Sequence, residues 1–321
     1  MSRDIALLLL LLTLAQVLGI GDALRSTPPA ALQQAIENTG AALCDQRRKV
    51  IALGAGFGLG AVAHAPPAAA RVGTAAPPRT AARTAAPFRL PSTVGIGTCC
   101  PCDVPADGED VGDAVCDATY AQVRAALSAG YRFVDTASHY NNERSVGLAI
   151  TDAIRDGVVS RADVLVCTKV WFEDLGFDQT IKSVTASNDR LSLGAGAGAD
   201  IVLLHFPGLP GPVSSNRKRR QESWWALEQL RTDGQVRAIG VSNYVRRHMK
   251  ELLSTCSIPP DVVQMEIHPF NQQPELIELC RSKGIQICGF SPLAHGDLPV
   301  LTDPTLGKIA AAYDATVPQV L

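Results

Sequence analysis

From about residue 88 onward, short apolar runs alternate along the chain with longer stretches of helical periodicity. In the longer stretches, apolar side chains recur every three or four positions, as in Val146 to Ile154 and Met249 to Cys256. Seven apolar runs have the character of strands: Val94–Thr98, Arg132–Thr136, Val164–Lys169, Ile201–His205, Val236–Val241, Val262–Ile267 and Ile285–Phe290. Strands that alternate with helices predict a parallel α/β sheet covered by helices.

This alternation fits both a barrel and an open, doubly wound sheet, and a phosphate-binding loop would favour the open sheet. The segment Gly54–Gly60 superficially resembles such a loop, but its third glycine is misplaced and no βαβ unit follows it. We therefore predict a barrel, in which residues at the carboxyl ends of the strands carry the chemistry.

The segments before residue 88 have the composition of targeting sequences. Residues 1–23 resemble a signal peptide, because Arg3 precedes a leucine-rich apolar run. Residues 24–87 combine a twin-arginine-like presequence, with Arg47 and Arg48, and a stretch of Ala, Pro, Arg and Thr that we predict to be a disordered linker. Two stacked presequences predict a plastid location, in the stroma or the thylakoid lumen, and the alternative is a secretory or membrane-anchored protein.

Composition and charge narrow the classes of partner. A hydrophobic content of 46% permits a packed core, and a net charge of -2 gives no basic surface for nucleic acid. The one basic run, Arg217–Arg220, is short, and we interpret it as an exposed loop. Most of the nine cysteines, such as Cys167 and Cys280, sit in apolar runs and do not suggest a disulfide scaffold.

One cysteine cluster has the spacing of a metal or redox site. Cys99 and Cys102 form a C-x-x-C motif, and Cys116 is available as a further ligand. Because the chain has no second C-x-x-C motif, we predict no metal site, and thiol redox regulation stays an open alternative.

The chemistry-bearing residues are concentrated where the predicted strands end. Ionisable side chains are costly to bury at the mouth of an apolar barrel unless they pair or react. The polar residues at these positions are Asp135, Lys169, His205, Ser242, Asn243, Gln264 and Ser291.

Two longer motifs make the interpretation specific. The segment Gly130–Ala137, continuing through Tyr140, and the segment Val236–Tyr244 resemble the two signatures of the aldo-keto reductase family, in its diketogluconate reductase and aldose reductase-like branch. Shorter blocks agree with the resemblance: Thr168-Lys169, Leu204–Pro207, Gln264–Pro269 and Phe290–Leu293. The resemblance implies a (β/α)8 TIM barrel over residues 88–321 that lacks the eighth strand and the C-terminal tail of the family.

By position, the resemblance implies a catalytic tetrad of Asp135, Tyr140, Lys169 and His205. Tyr140 is then the general acid, and the ammonium of Lys169 is expected to lower the pKa of its phenol. Asp135 is expected to hold Lys169 by an ion pair, and His205 to orient the substrate carbonyl.

The resemblance also implies NADPH as cofactor. Ser242, Asn243 and Gln264 match the residues that hold the nicotinamide amide, and Phe290 matches the aromatic ring on which the nicotinamide stacks. Ser291 and Leu293 then lie near the diphosphate.

The implied function is NADPH-dependent reduction of small aldehydes or ketones to alcohols, by a chain that is a monomer if it is complete. The alternative is a non-catalytic barrel that senses the cofactor or binds a partner. The Tyr140 and Lys169 pair favours catalysis.

Overall fold

The computed structural model describes residues 88–90, 94–99, 115–194, 197–208, 213–296 and 299–321. The predicted signal peptide (1–23) and the predicted presequence and linker (24–87) lie outside the described residues, so both they and the plastid location stay predictions. Among the helices of the described ranges, none has the length and apolar character needed to cross a bilayer.

In the described part of the chain, seven parallel strands form one sheet in which each strand pairs with the next along the sequence. The strands are β1 (Ile96–Gly97), β2 (Phe133–Asp135), β3 (Leu165–Val170), β4 (Ile201–Leu204), β5 (Ala238–Ser242), β6 (Val262–Glu266) and β7 (Gln286–Phe290). This sequential parallel order is that of a nearly closed α/β barrel and not of a doubly wound sheet. The predicted seven-stranded barrel is therefore confirmed.

Helices follow the strands, as the periodicity predicts. They are α1 (Asp117–Ser128), α2 (Glu143–Arg155), α3 (Phe177–Leu191), α4 (Val213–Thr232), α5 (Arg246–Thr255), α6 (Pro274–Ser282), α7 (Pro304–Ala312) and α8 (Val317–Val320). The apolar faces of α1 to α6 pack on outward-facing strand residues such as Val166 and Ile239. Most of the buried apolar side chains therefore lie between the barrel and its helices.

A smaller apolar cluster fills the barrel interior and sets the direction of the site residues. Eight members of this cluster belong to strands, and two precede β1. The strand residues are Phe133, Leu165, Cys167, Ile201, Leu203, Ala238, Val262 and Cys288, and the other two are Phe88 and Leu90. Because side chains alternate between the two faces of a strand, residues two positions further on point to the same interior. Asp135, Lys169 and His205 each stand two residues after a member of this inner cluster.

The basic run Arg217–Arg220 lies in α4 and is not a loop, so that prediction was wrong. Arg220 is buried and its guanidinium donates to the Glu251 carboxylate of α5 at 2.7 Å. The pairing partner is distant in sequence, and a paired arginine can be buried where an isolated one cannot.

A glycine sets how closely α2 approaches the end of α3. A Cβ atom on Gly147 would lie 1.8 Å from the carbonyl oxygen of Leu191, which belongs to the backbone and cannot rotate away. We expect Gly147→Ala to lower the free energy of unfolding by about 3 kcal/mol or more, because the two helices must separate. Urea denaturation of the purified chain measures this loss.

Gly307→Ala is the matched control, since Gly307 also lies in a helix, α7. A Cβ atom there meets no atom within 4 Å. Alanine is favoured over glycine in a helix by about 1 kcal/mol, so this variant should be as stable as the wild type or more stable. Equal unfolding midpoints for the two variants would contradict the close packing of Gly147 against Leu191.

Candidate active site

Lys169 lies at the centre of the polar cluster at the carboxyl ends of the strands. Its side chain is only 1% exposed. The ammonium forms an ion pair with the carboxylate of Asp135, donates to the carbonyl oxygen of Thr136 at 2.9 Å, and donates to the hydroxyl of Tyr140 at 3.3 Å. Each of its three N–H donors therefore has an oxygen partner, which is what a buried ammonium requires.

The electrostatics keep Lys169 charged. Burial disfavours the ammonium, but the adjacent carboxylate of Asp135 outweighs burial, and the pKa of Lys169 is raised above its ordinary value. A permanent positive charge therefore stands beside the phenol of Tyr140 throughout the physiological pH range.

Tyr140 nevertheless keeps its proton. Burial raises the pKa of its phenol and outweighs the lowering by Lys169, while the charge of Asp135 raises it further. The sequence-based expectation is correct for the contribution of Lys169 and wrong for the net direction. At neutral pH the phenol is protonated, which is the form that a general acid needs.

His205 packs against the ring of Tyr140. The ring centroids are 5.6 Å apart in an edge-to-face arrangement. Burial, the charge of Lys169 and the neighbouring His139 lower the pKa of His205 well below its usual range. The imidazole is therefore neutral at neutral pH, and within the described chain its buried Nδ1 atom has no hydrogen-bond partner.

Three of the predicted cofactor-binding residues lie next to Asp135 and His205. Gln264 donates from Nε2 to the second carboxylate oxygen of Asp135 at 2.8 Å, and its Oε1 is 3.5 Å from the hydroxyl of Ser242. Asn243, in the left-handed region with φ 60°, donates from Nδ2 to the carbonyl oxygen of His205 at 2.9 Å. The structure therefore brings Ser242, Asn243 and Gln264 together beside Asp135 and His205.

The remaining predicted cofactor residues lie at the end of β7 and in the loop after it. Phe290 ends this strand and is partly exposed. Ser291 has a positive φ of 48°, and its hydroxyl is 3.2 Å from Nδ1 of His295. Leu293, also partly exposed, comes two residues later. These residues lie on the β7 side of the barrel mouth, next to the strand that carries Gln264.

The sequence analysis assigned no role to the residues that fix the loop carrying Tyr140. Asn142 is buried, accepts from the hydroxyl of Thr136 at 2.8 Å and donates to the carbonyl oxygen of Thr98 at 2.7 Å. This amide ties the end of β2 to the end of β1, so the short turn holding Tyr140 keeps its place over Lys169. Asn142 stands two residues after Tyr140 in the sequence, and this proximity was the available signal.

An aromatic wall, which the sequence analysis also missed, flanks His205. Trp171 contacts His205 edge-to-face at 4.9 Å between centroids and Phe206 at 5.4 Å. The ring centroids of Phe172 and Trp171 are 4.3 Å apart, and His139 stacks on Trp171 at 3.6 Å between centroids. The signal was positional: Trp171 and Phe172 directly follow β3, Phe206 directly follows His205, and His139 directly precedes Tyr140.

The cysteine cluster is described only in part. Cys116 is disulfide-bonded, and its sulfur accepts from the backbone N–H of Thr119 at the start of α1. Cys99 is exposed, while Cys100 and Cys102 lie outside the described residues, so the redox interpretation stays a prediction. Across the described ranges, no group of three or more His, Cys, Asp or Glu side chains is placed to hold a metal ion.

The strand order and the position of these polar side chains define the class: a parallel α/β barrel with an ionisable cluster at the carboxyl ends of its strands. A sequence profile described as the aldo/keto reductase family matches residues 111–308. The chain belongs to the aldo/keto reductase family.

Individual relatives agree with this assignment. The chain is 39% identical over 199 residues to glyoxal reductase of Bacillus subtilis, covering 62% of this chain and 66% of that enzyme. It is 40% identical over 200 residues to the 9,11-endoperoxide prostaglandin H2 reductase of Trypanosoma cruzi, covering 62% of this chain and 65% of that enzyme. The chain thus spans just under two thirds of the length of these two relatives.

A solved structure supports the same fold. The aldo-keto reductase of Bombyx mori in complex with NADP superposes with a TM-score of 0.60 at 31% identity, covering 71% of this chain and 74% of that chain.

Proposed function

We propose that this chain reduces small aldehydes or ketones to alcohols with NADPH, and that Tyr140 is the general acid. The observation that carries the proposal is the buried Lys169 ammonium, held by Asp135 and donating to the Tyr140 hydroxyl at 3.3 Å. A buried ion pair that costs stability to assemble, next to a protonated phenol at a barrel mouth, suits proton transfer. The names of the relatives support the same class of reaction.

The residues around Tyr140 account for the proposed chemistry. The carbonyl oxygen of the substrate lies between the Tyr140 hydroxyl and the neutral imidazole of His205, both of which donate hydrogen bonds to it. As negative charge develops on this oxygen, Tyr140 transfers its proton to it. Lys169 stabilises the phenolate that remains, and Asp135 holds Lys169 in place.

The donor set beside the tetrad fits a nicotinamide cofactor. The buried Ser242 and Gln264 and the partly exposed Asn243 offer hydroxyl and amide groups that match the donors and acceptors of a carboxamide. Phe290 offers an aromatic face at the end of β7. When bound there, the cofactor supplies the hydride for the carbonyl carbon.

A titration of the purified chain with NADPH tests the cofactor part of the proposal. We expect saturable quenching of tryptophan fluorescence, because Trp171 lies in the wall beside His205. Oxidation of NADPH in the presence of a small dicarbonyl, followed at its absorbance maximum, tests the reaction. Binding without turnover of any aldehyde or ketone would favour the alternative, a non-catalytic cofactor-sensing barrel, and absence of binding would contradict both.

A further inference from the structure

His139 occupies a position at the barrel mouth to which no function has yet been given. Its imidazole stacks on the indole of Trp171 with 3.6 Å between centroids and an interplanar angle of 2°. The same indole meets His205 edge-to-face at 4.9 Å. Both imidazoles therefore contact one indole, and His139 directly precedes Tyr140 in the chain.

His139 is more accessible to solvent than His205. His205 is only 6% exposed, whereas His139 is exposed to solvent although Trp171 covers one of its faces. A substrate whose carbonyl oxygen reaches Tyr140 and His205 leaves the rest of its structure toward the rim, where His139 lies.

The charged and titratable groups around His139 come from the loops after β3 and β4 and from α4. Burial lowers its pKa, and the exposed carboxylate of Glu173, which follows β3, opposes this lowering. His205 is its titratable neighbour from β4. From α4, the guanidinium of Arg219 is held by the carbonyl oxygens of Glu173 and Leu175.

Of the two imidazoles, His139 is the first to gain a proton as the pH falls. The pKa of His205 lies well below the usual range for histidine, and the pKa of Tyr140 lies above the usual range for tyrosine. Burial lowers the pKa of His139 as well, but not as far as that of His205. Acidification therefore protonates the exposed His139 first and places a positive charge at this part of the rim.

We propose that His139 is a specificity-determining residue, whose protonated ring at the rim of the pocket favours carbonyl substrates that carry a carboxylate over uncharged ones. The inference rests on the proposed reductase function and adds a substrate class to it. When neutral, the stacked His139 and Trp171 rings offer a flat surface to uncharged substrates. When His139 is protonated, they offer a positive charge that a carboxylate can pair with.

Glu173 limits the size of the effect, because its carboxylate competes with the carboxylate of the substrate for the protonated His139 ring. An exposed ion pair changes affinity by a factor of about 1.5 to 5. We therefore expect the preference for the carboxylated substrate to rise by up to about this factor as acidification protonates His139.

A matched pair of aldehydes measures the preference. The ratio of kcat/KM for 4-carboxybenzaldehyde to that for benzaldehyde is determined between pH 5.5 and 8 for the full chain, since both molecules present the same reacting group. His139→Phe keeps an aromatic ring on Trp171 and removes the titrating nitrogen. Glu173→Gln removes the carboxylate that raises the pKa of His139, so the rise in preference should move to lower pH.

The expected result is a preference that rises at low pH in the wild type and is flat in His139→Phe. A rise of the same size in His139→Phe would overturn the inference while leaving the reductase proposal standing. If neither aldehyde is reduced, the proposed function fails, and binding decides the inference: quenching of tryptophan fluorescence by 4-carboxybenzaldehyde must strengthen at low pH in the wild type only, and pH-independent binding overturns it.

Discussion

Tyr140→Phe is expected to reduce kcat/KM by a factor of about 10² to 10⁴, the range that a well-placed general acid contributes. The substitution removes the hydroxyl that Lys169 contacts at 3.3 Å and leaves the ring that meets His205 edge-to-face. Because the ring packing is retained, the fold should survive the change. Cofactor binding should also survive, since Ser242, Asn243 and Gln264 do not contact the lost hydroxyl.

Steady-state oxidation of NADPH measures the loss, and fluorescence titration shows whether the cofactor still binds. Tyr120→Phe is the matched control, because its hydroxyl donates to Asp152 on α2 at 2.8 Å, away from the barrel mouth. This variant should keep nearly all of the activity. If the two variants had similar activity, Tyr140 would not be the proton donor.

Lys169→Met is expected to cost both activity and stability. The substitution leaves Asp135 at the barrel mouth with Gln264 but without its cation. Breaking a buried ion pair from one side costs about 3 to 5 kcal/mol. The raised pKa of Lys169 gives stability that is fully present below the unfolded pKa of about 10.4 and is lost as the pH rises through the folded pKa, so the cost should be constant between about pH 5 and pH 9.

The double variant Lys169→Met with Asp135→Asn separates the two effects. Replacing the carboxylate by an amide removes the unpaired charge, so we expect stability to recover in part while turnover stays lost. Urea denaturation and NADPH oxidation measure the two quantities. A single Lys169→Met variant that is as stable as the wild type would contradict the ion pair as the partner that allows Lys169 to be buried.

The strands could be predicted because their signal is local. Each of the seven predicted runs overlaps its strand, with boundaries that differ by at most two residues. The position of α4 was partly missed because Arg220 is buried through its contact with Glu251, 31 residues further along the chain. A contact between distant residues leaves no mark in the spacing of the run itself.

The sequence predicted which residues form the site, but it did not predict how burial shifts their pKa values. The resemblance gave the positions of Asp135, Lys169 and Tyr140, and the structure places them in contact. It did not give the net pKa direction of Tyr140, because that depends on how deeply the phenol is buried. The stack of His139 on Trp171 was also out of reach, since it joins the loop after β2 to the loop after β3.

The alternation of side chains inside the barrel has a consequence for how errors of folding affect the site. A slip of one residue in the pairing of a strand turns every one of its side chains to the opposite face. Phe133, Cys167 and Leu203 would then leave the inner cluster, and Asp135, Lys169 and His205 would leave the mouth with them. The strand register that buries the apolar side chains of the inner cluster is the same register that brings Asp135, Lys169 and His205 together. Packing of the inner cluster therefore also selects the correct geometry of the site.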